Sequence, residues 1–354
     1  MTTIGVNLSH NASICIKDKN KLEYYEEDRF NKIKNWAPVY NILSEDFDFK
    51  SFSKIKDFNS NFIFCGFDLE DLEGGESGEG GSKIPTSIVL RHKKSKDHPM
   101  VKYLVDKYKI KNWVFNVSEH HLYHVCSGFY FSKFEDALVI VSDGAGGRLE
   151  RKGKCSLADK MYQEADSVYY ITPIYIEALY KHYSLFRGLM IPPDREVFKD
   201  YIKNLNYKEK PAGSVFSSYY EWNGLEYKFS VMPNPGNLFG ALCVILGHPN
   251  GFSAGKVMGL SSYGKEEGER DEDLAKQVQI ATEEYTMKLI EKALSKKNCK
   301  NIILSGGYAL NCVNNYKYTQ EFKDINFFID PAPHDGGTAI GAAVWFDHYR
   351  NTTS

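Results

Sequence analysis

The chain has no CxxC pair, no apolar run near the ~18 residues a membrane span needs and no excess of basic charge, and each absence excludes a class of protein. Its seven cysteines, at 15, 65, 126, 155, 243, 299 and 312, are odd in number and unclustered. That argues against a zinc ribbon or disulfide framework and for free thiols in a reducing compartment. The opening MTTIGVNLSHNASICI lacks the basic segment and continuous apolar stretch of a secretory signal. The expected location is cytoplasmic, with no membrane partner. A formal net charge of −2 provides no overall basic field for a nucleic acid, and no repeat of solenoid period occurs. What is there is 354 residues, 42% apolar and 14% aromatic, enough for two domains or one large fold with two lobes.

Along the chain, residues 3–8 and 12–17 read as a strand pair joined by a polar Ser9-His10-Asn11 turn, and a third strand-like run follows Asn20. Residues 61–67 read as a buried strand. LEGGESGEGGSK after it reads as a mobile loop, its glutamates unsuited to cradling an anion. Helix is expected over 99–109 and 119–131, strand over 112–116 and 137–142. From 148 to 233 the pattern turns irregular, aromatic and charged. Helical order returns at 236–247 and in a long amphipathic run at 271–297. Strands at 301–305 and 325–330 each lead into a Gly-rich turn and then a helix, the last beginning near Thr338. Such turns set backbone N–H groups and helix N-termini against phosphates. The expected organisation is an N-terminal lobe over 1–147, an aromatic and basic insert over 148–235 and a C-terminal lobe over 236–354.

The chemistry-bearing residues begin with His120 and His124 in SEHHLYHVCSGFYFS, an i, i+4 pair on one helix face. Two neutral imidazole nitrogens with one or two carboxylate oxygens complete a shell for a divalent metal such as Fe or Zn. Asp143 (VIVSDGAGG) and Asp335 (HDGGTAIGAA) stand in Gly-rich turns after apolar runs. The competing readings are histidines that cap a surface helix or sit satisfied in a core, and a His121/His124 pairing at i, i+3.

In order along the chain, GVNLSHNASICI with EEDRFNKIKN, EHHLYHVCSGFYFSKFEDALVIVSDGAGG, GKVMGLSSYGK and LSGGYALNCVNN followed by DPAPHDGGTAIGAA resemble the O-carbamoyltransferases of the nodulation-protein and antibiotic-tailoring type. The resemblance implies an α/β, actin/hexokinase-like fold of two lobes with a nucleotide and metal cleft between them, shared with the enzymes that make threonylcarbamoyl-adenosine on tRNA. It implies a divalent metal, Fe first with Zn or Mn as alternatives, on His120, His124, Asp143 and Asp335. His10 falls in the family's transfer-site turn, as a base for the acceptor hydroxyl or a partner for the developing oxyanion; bonding its own backbone is the structural alternative. Asn11 replaces the family's usual aspartate. Lys34, a further catalytic candidate, and Arg29 match basic positions that offset phosphate charge, unless Arg29 pairs with Glu26 or Glu27. Gly144, Lys256, Gly306, Gly307 and Asn311 are the remaining nucleotide-site candidates. Lys256 as a solvated residue and Asn311 with Asn314 as helix caps are the alternatives there.

The function so implied is transfer of a carbamoyl group from carbamoyl-adenylate, made from ATP and carbamoyl phosphate, to an acceptor hydroxyl. The YrdC-like activating domain of the antibiotic-tailoring members has no counterpart here, so either a separate YrdC-like partner activates the carbamoyl group or the chain uses a donor directly, and a homodimer is compatible. Arg148, Arg151, Lys152, Lys154, Arg187 and Arg195, interleaved with tyrosines, suggest an acceptor such as a hydroxymethylpyrimidine nucleotide or DNA. The alternative is an aromatic subdomain with its own small core. The competing functions are tRNA threonylcarbamoyl transfer and a non-catalytic ATP- and metal-binding regulatory subunit. A sugar kinase fits less well, because Asn7 stands where such folds place an aspartate.

Overall fold

The computed structural model describes residues 2–19, 21–34, 36–37, 49–66, 98–116, 119–144, 146–147, 162–184, 195–205, 217–230, 232–248 and 251–350. Its strands are β1 Thr3–Asn7, β2 Ser13–Asp18, β3 Lys21–Glu26, β4 Asn61–Cys65, β5 Asn112–Phe115, β6 Ala137–Ser142, β7 Gln163–Ile171, β8 Ile176–Ser184, β9 Ser217–Trp222, β10 Leu225–Ser230, β11 Asn301–Ser305 and β12 Asn326–Ile329. The α-helices are α1 Glu27–Asn31, α2 Pro99–Tyr108, α3 His120–Ser132, α4 Arg195–Leu205, α5 Pro235–Ile245, α6 Ala254–Leu260, α7 Asp271–Lys296, α8 Cys312–Glu321 and α9 Thr338–His348. The chain forms two compact units, one of residues 1–131 with 334–354 and one of residues 132–333.

The first unit is built on a five-stranded sheet of order β3-β2-β1-β4-β5, with β1, β2 and β3 antiparallel and β4 and β5 parallel to β1. Both faces of β4 are covered, which explains its unbroken apolar run NFIFC. Phe62 and Phe64 pack with Ile4, Val6, Met100 and Leu104, whereas Ile63 and Cys65 point the other way, into a cluster with Tyr123 and Ala342. The period of two along the strand thus gives one face to α2 and the other to α3 and α9. Close approach there demands missing side chains. A Cβ on Gly5 would stand 1.9 Å from the carbonyl oxygen of Ala339, and one on Gly341 would stand 1.7 Å from that of Tyr123. Helix α9 therefore rests directly on β1 and on α3, which fixes the turn just before α9 beside the first turn of α3.

The second unit carries a seven-stranded mixed sheet of order β12-β11-β6-β7-β8-β10-β9. β6, β11 and β12 run parallel, β7 and β8 are antiparallel, and β10 pairs parallel with β8 and antiparallel with β9. Helix α7 buries Leu274, Val278, Ala281, Tyr285, Leu289 and Ala293 at helical spacing, against Leu138, Ile140, Ile302 and Leu304 of the sheet and Leu238 and Leu242 of α5.

The stretch read as irregular, 148–233, is where sequence and structure part. Its described residues form β7 to β10 and α4. The alternation is hidden because polar residues go inside. Lys181 ion-pairs with buried Glu164 at 3.2 Å, His182 meets Asp166 at 2.8 Å, and Tyr169, Tyr180 and Tyr183 are core residues. GKVMGL lies in helix α6. The Gly-rich segment after residue 66 and Arg148, Arg151, Lys152, Lys154 and Arg187 lie outside the described residues.

Candidate metal centre and glycine turn

In the first unit, the β1–β2 turn, the start of α3 and the turn before α9 meet. Asn7, fully buried at the end of β1, organises the first of these. Its Oδ1 accepts from the backbone N–H and the hydroxyl of Ser9 at 3.0 and 2.8 Å, and its amide donates to the carbonyls of His10 and Asn11. Asn11 takes a left-handed backbone with φ 58°, a region asparagine tolerates better than most residues. So placed, His10 holds its Nδ1 3.4 Å from Oδ2 of Asp335, and the Ser9 hydroxyl stands 2.9 Å from the same oxygen. Neither the hydroxyl's proximity to Asp335 nor the part played by Asn7 is evident from the sequence.

His120 and His124 are both buried on α3, with their Nε2 atoms 3.2 Å apart and Nε2 of His120 3.7 Å from Oδ1 of Asp335. Ligand bonds of about 2.0–2.2 Å around one ion put neighbouring donor atoms roughly 3–3.7 Å apart. Two nitrogens and a carboxylate oxygen at these separations fit a divalent cation such as Fe or Zn. His121 is buried as well but falls outside the group of candidate ligands. The Asp335 turn is fastened from behind. Thr338 Oγ1 donates to the Asp335 carbonyl at 2.6 Å, and Nδ1 of His334 accepts the Gly336 N–H at 3.1 Å while its Nε2 faces Glu26 at 3.3 Å. The hydrogen bond to His334 leads the causes that hold the Glu26 carboxyl below its usual range. Burial pushes the nearby Cys65 thiol up to about 12, and it lies outside the group of candidate ligands.

Lys34 is exposed, and exposed Arg29 pairs through Nε with Glu26 at 3.2 Å. That pair is the structural alternative its spacing from Glu26 suggested.

Asp143 lies in the second unit, buried at the end of β6. Its Oδ1 accepts the N–H of Gly307 at 3.0 Å, and its carbonyl accepts from the side-chain amide of Asn234. Gly306 has φ 84°, and a Cβ there would meet the carbonyl oxygen of Ser142 at 2.3 Å. Gly306 is therefore required by the approach of β11 to β6, whatever it binds. Asn311 caps α8 by accepting the N–H of Asn314 at 3.2 Å, and its side chain and that of Asn314 both hydrogen-bond Gln279. Gly144 has open space where a Cβ would point, Lys256 is exposed on α6, and Arg195 pairs with Asp271. Among the described residues no helix is long and apolar enough to cross a membrane.

Two α/β units with these sheets and these turns have the actin/hexokinase-like fold that the resemblance implies. Residues 86–344 match the family described as carbamoyltransferase N-terminus, and the chain belongs to that family. Nodulation protein NolNO of Sinorhizobium fredii is 24% identical over 248 residues, covering 64% of this chain and 30% of NolNO. An uncharacterised protein of Synechocystis sp. is 39% identical over 85 residues, 23% of this chain and 14% of the relative. HypF of T. kodakarensis superposes on 99% of the chain with a TM-score of 0.56 at 15% identity, using 48% of its own length. A full-length HypF solved in a phosphate- and nucleotide-bound form gives 0.50 at 13% identity, over 97% of this chain and 54% of its own. At such identities the HypF likeness shows the fold alone. The chain spans less than a third of the two curated relatives and about half of each HypF chain.

Proposed function

We propose that the chain catalyses transfer of a carbamoyl group from carbamoyl-adenylate, formed from ATP and carbamoyl phosphate, to an acceptor hydroxyl. The observation that carries this reading is Asp335 standing against both His10 and His120, with His124 beside His120, within one unit of a carbamoyltransferase-family chain. We assign the metal to His120, His124 and Asp335, with Asp143 of the second unit as a fourth ligand; when bound, the ion neutralises and orients the phosphate of the donor. Fe suits two imidazoles and carboxylates, as do Zn and Mn.

The protein's own groups divide the remaining work. The acceptor oxygen bonds to the carbamoyl carbon, the bond from that carbon to the phosphate oxygen breaks, and AMP leaves with the electron pair. The hydroxyl proton passes to Nε2 of His10, the ring nitrogen not turned to Asp335, in keeping with an imidazole's place as a general base near neutral pH. Asp335 orients that ring. Lys34, on the exposed turn after α1, offsets charge on the adenylate phosphate. Gly306 and Gly307 offer backbone without side chains to the nucleotide. Among acceptors we favour a hydroxymethylated pyrimidine, free as a nucleotide or in DNA.

The test is mass spectrometry of an acceptor panel that includes sugars and hydroxymethylpyrimidine nucleotides and DNA. Each is incubated with the chain, ATP, carbamoyl phosphate, Fe(II) and an activating protein. Gain of one carbamoyl mass on a hydroxyl, lost with His10→Gln, is expected. No gain on any acceptor while carbamoyl-adenylate accumulates would count against transfer.

A further inference from the structure

Asn234 is fully buried, in a unit where three elements converge on the end of β6. Its side chain faces two ways. Oδ1 accepts the N–H of Asn237 at 2.9 Å and so caps α5, with Pro235 in the first turn, where a missing N–H does no harm. The cap leaves both protons of Nδ2 available, and they go to the carbonyl of Asp143 and, at 2.7 Å, to that of Ala165. Asp143 also donates its own N–H to the Ala165 carbonyl, so one amide clasps β6 and β7 at the residue where the Asp143 turn leaves the sheet. The first turn of α5 packs against that turn, since a Cβ on Gly236 would lie in ordinary contact, 3.4 Å from the Asp143 carbonyl carbon.

Behind the clasp stands a second buried carboxylate, Asp166. It receives the Ser142 hydroxyl at 2.7 Å, the Tyr285 hydroxyl at 2.8 Å and Nδ1–H of His182 at 2.8 Å, and the Asn234 amide is 3.4 Å away. His182 in turn accepts the Ser230 hydroxyl on Nε2 at 2.7 Å. This Ser–His–Asp series has no access to solvent, with every member at most 2% exposed, so it has no substrate to act on. Its position is what matters: it immobilises Ser142, the neighbour of Asp143, while Asn234 immobilises Asp143 itself.

We propose that Asn234 is a positioning residue for Asp143, holding its main chain so that the carboxylate is presented to a divalent metal. The inference rests on the assignment of Asp143 as a ligand. A ligand's hydrogen-bonded supports contribute to metal affinity without touching the ion, and Asn234 fixes the main chain from which this ligand springs.

The experiment uses Co(II) as the probe, titrated into the full chain and read by its ligand-field absorption, beside thermal unfolding. Asn234→Ser keeps an oxygen to cap α5 but removes the amide donors. It is expected to weaken Co(II) binding about 10- to 100-fold and to alter the spectrum. Tyr285→Phe, which removes one donor to Asp166 away from Asp143, is expected to lower the unfolding temperature while leaving Co(II) affinity within about twofold. If Asn234→Ser does not fold, Asn234→Asp keeps the shape and the cap and tests the same loss. Asn234 variants that bind Co(II) like the wild type, or a Tyr285→Phe protein weakened as much as they are, overturn the proposal. Asp143→Asn separates the two claims. If it binds Co(II) undiminished, the ligand assignment falls and the inference with it; if it is weakened and the Asn234 variants are not, the inference alone falls.

Discussion

Gly341→Ala is the smallest change that should disturb the proposed metal centre without touching a ligand. The added methyl would stand 1.7 Å from the carbonyl oxygen of Tyr123, with further contacts at 2.4 and 2.8 Å, all of them backbone atoms. A rotamer change cannot relieve backbone overlap. Restoring ordinary contact requires α9 to move from α3 by roughly 1.5 Å, and overpacking of a close-packed interior costs about 1–3 kcal/mol or more. At the upper end, that is a fall of roughly 6–12 °C in the unfolding midpoint for a unit of this size. The movement also draws on the centre, because Thr338 at the start of α9 holds the Asp335 carbonyl while His120 and His124 ride on α3. Co(II) affinity should therefore drop at least tenfold, on the order of the losses that misplaced supports produce. Gly259→Ala on α6 is the internal control. Nothing lies within 4 Å of a Cβ there, so the better helix former should be neutral or stabilising by up to about 1 kcal/mol. A Gly341→Ala protein melting with the wild type and binding Co(II) equally well would refute this account of how α9 is seated.

Three other outcomes follow from the same geometry. His124→Ala should remove most divalent-metal affinity measured by calorimetry yet keep the fold by circular dichroism, because the ring adjoins the other two donors of its unit. His10→Gln should lower the transfer rate constant by about 10²–10⁴ with metal binding intact; loss of the metal instead would assign His10 to the metal shell. Asp273 is held down to about 2 by the Arg270 fork and by the N–H groups of Lys265 and Arg270. A carboxyl with a lowered folded pKa contributes stability above its unfolded value near 3.9, and that contribution fades as pH falls toward 2. The stability gap between wild type and Asp273→Asn in urea should thus be full at pH 6 and mostly lost by pH 2; a gap independent of pH would contradict it.

Much of the fold is legible in the sequence because its decisive elements obey simple periodicities. TIGVN, NFIFC, ALVIVS and NIILS are apolar runs between turns, and each is a strand at the expected place. The 271–297 pattern is α7 nearly to the residue. The region 148–233 is not legible, since Glu164, Asp166 and His182 occupy buried strand positions that periodicity reserves for apolar residues, Asp166 paired with His182 and Glu164 with the half-buried Lys181. The histidine spacing and the two aspartate turns mark candidate ligands, but spacing alone does not choose between His120 and His121 as the partner of His124. Asn234 carries a readable signal, an Asn-Pro-Gly helix start, though only the fold reveals that its amide turns back to Asp143. Asn311 stands at the other extreme, with its side chain committed to capping α8 and to Gln279.

The most direct test of the account follows a carbon-13 carbamoyl label from carbamoyl phosphate, through an activating protein, to the hydroxyl of an acceptor incubated with this chain. The label should reach the acceptor with metal-loaded wild type, stop with chelator, return on adding Fe(II), and fail to return with His124→Ala. Label transfer indifferent to both the chelator and the His124 substitution would contradict a metal-anchored carbamoyl transfer.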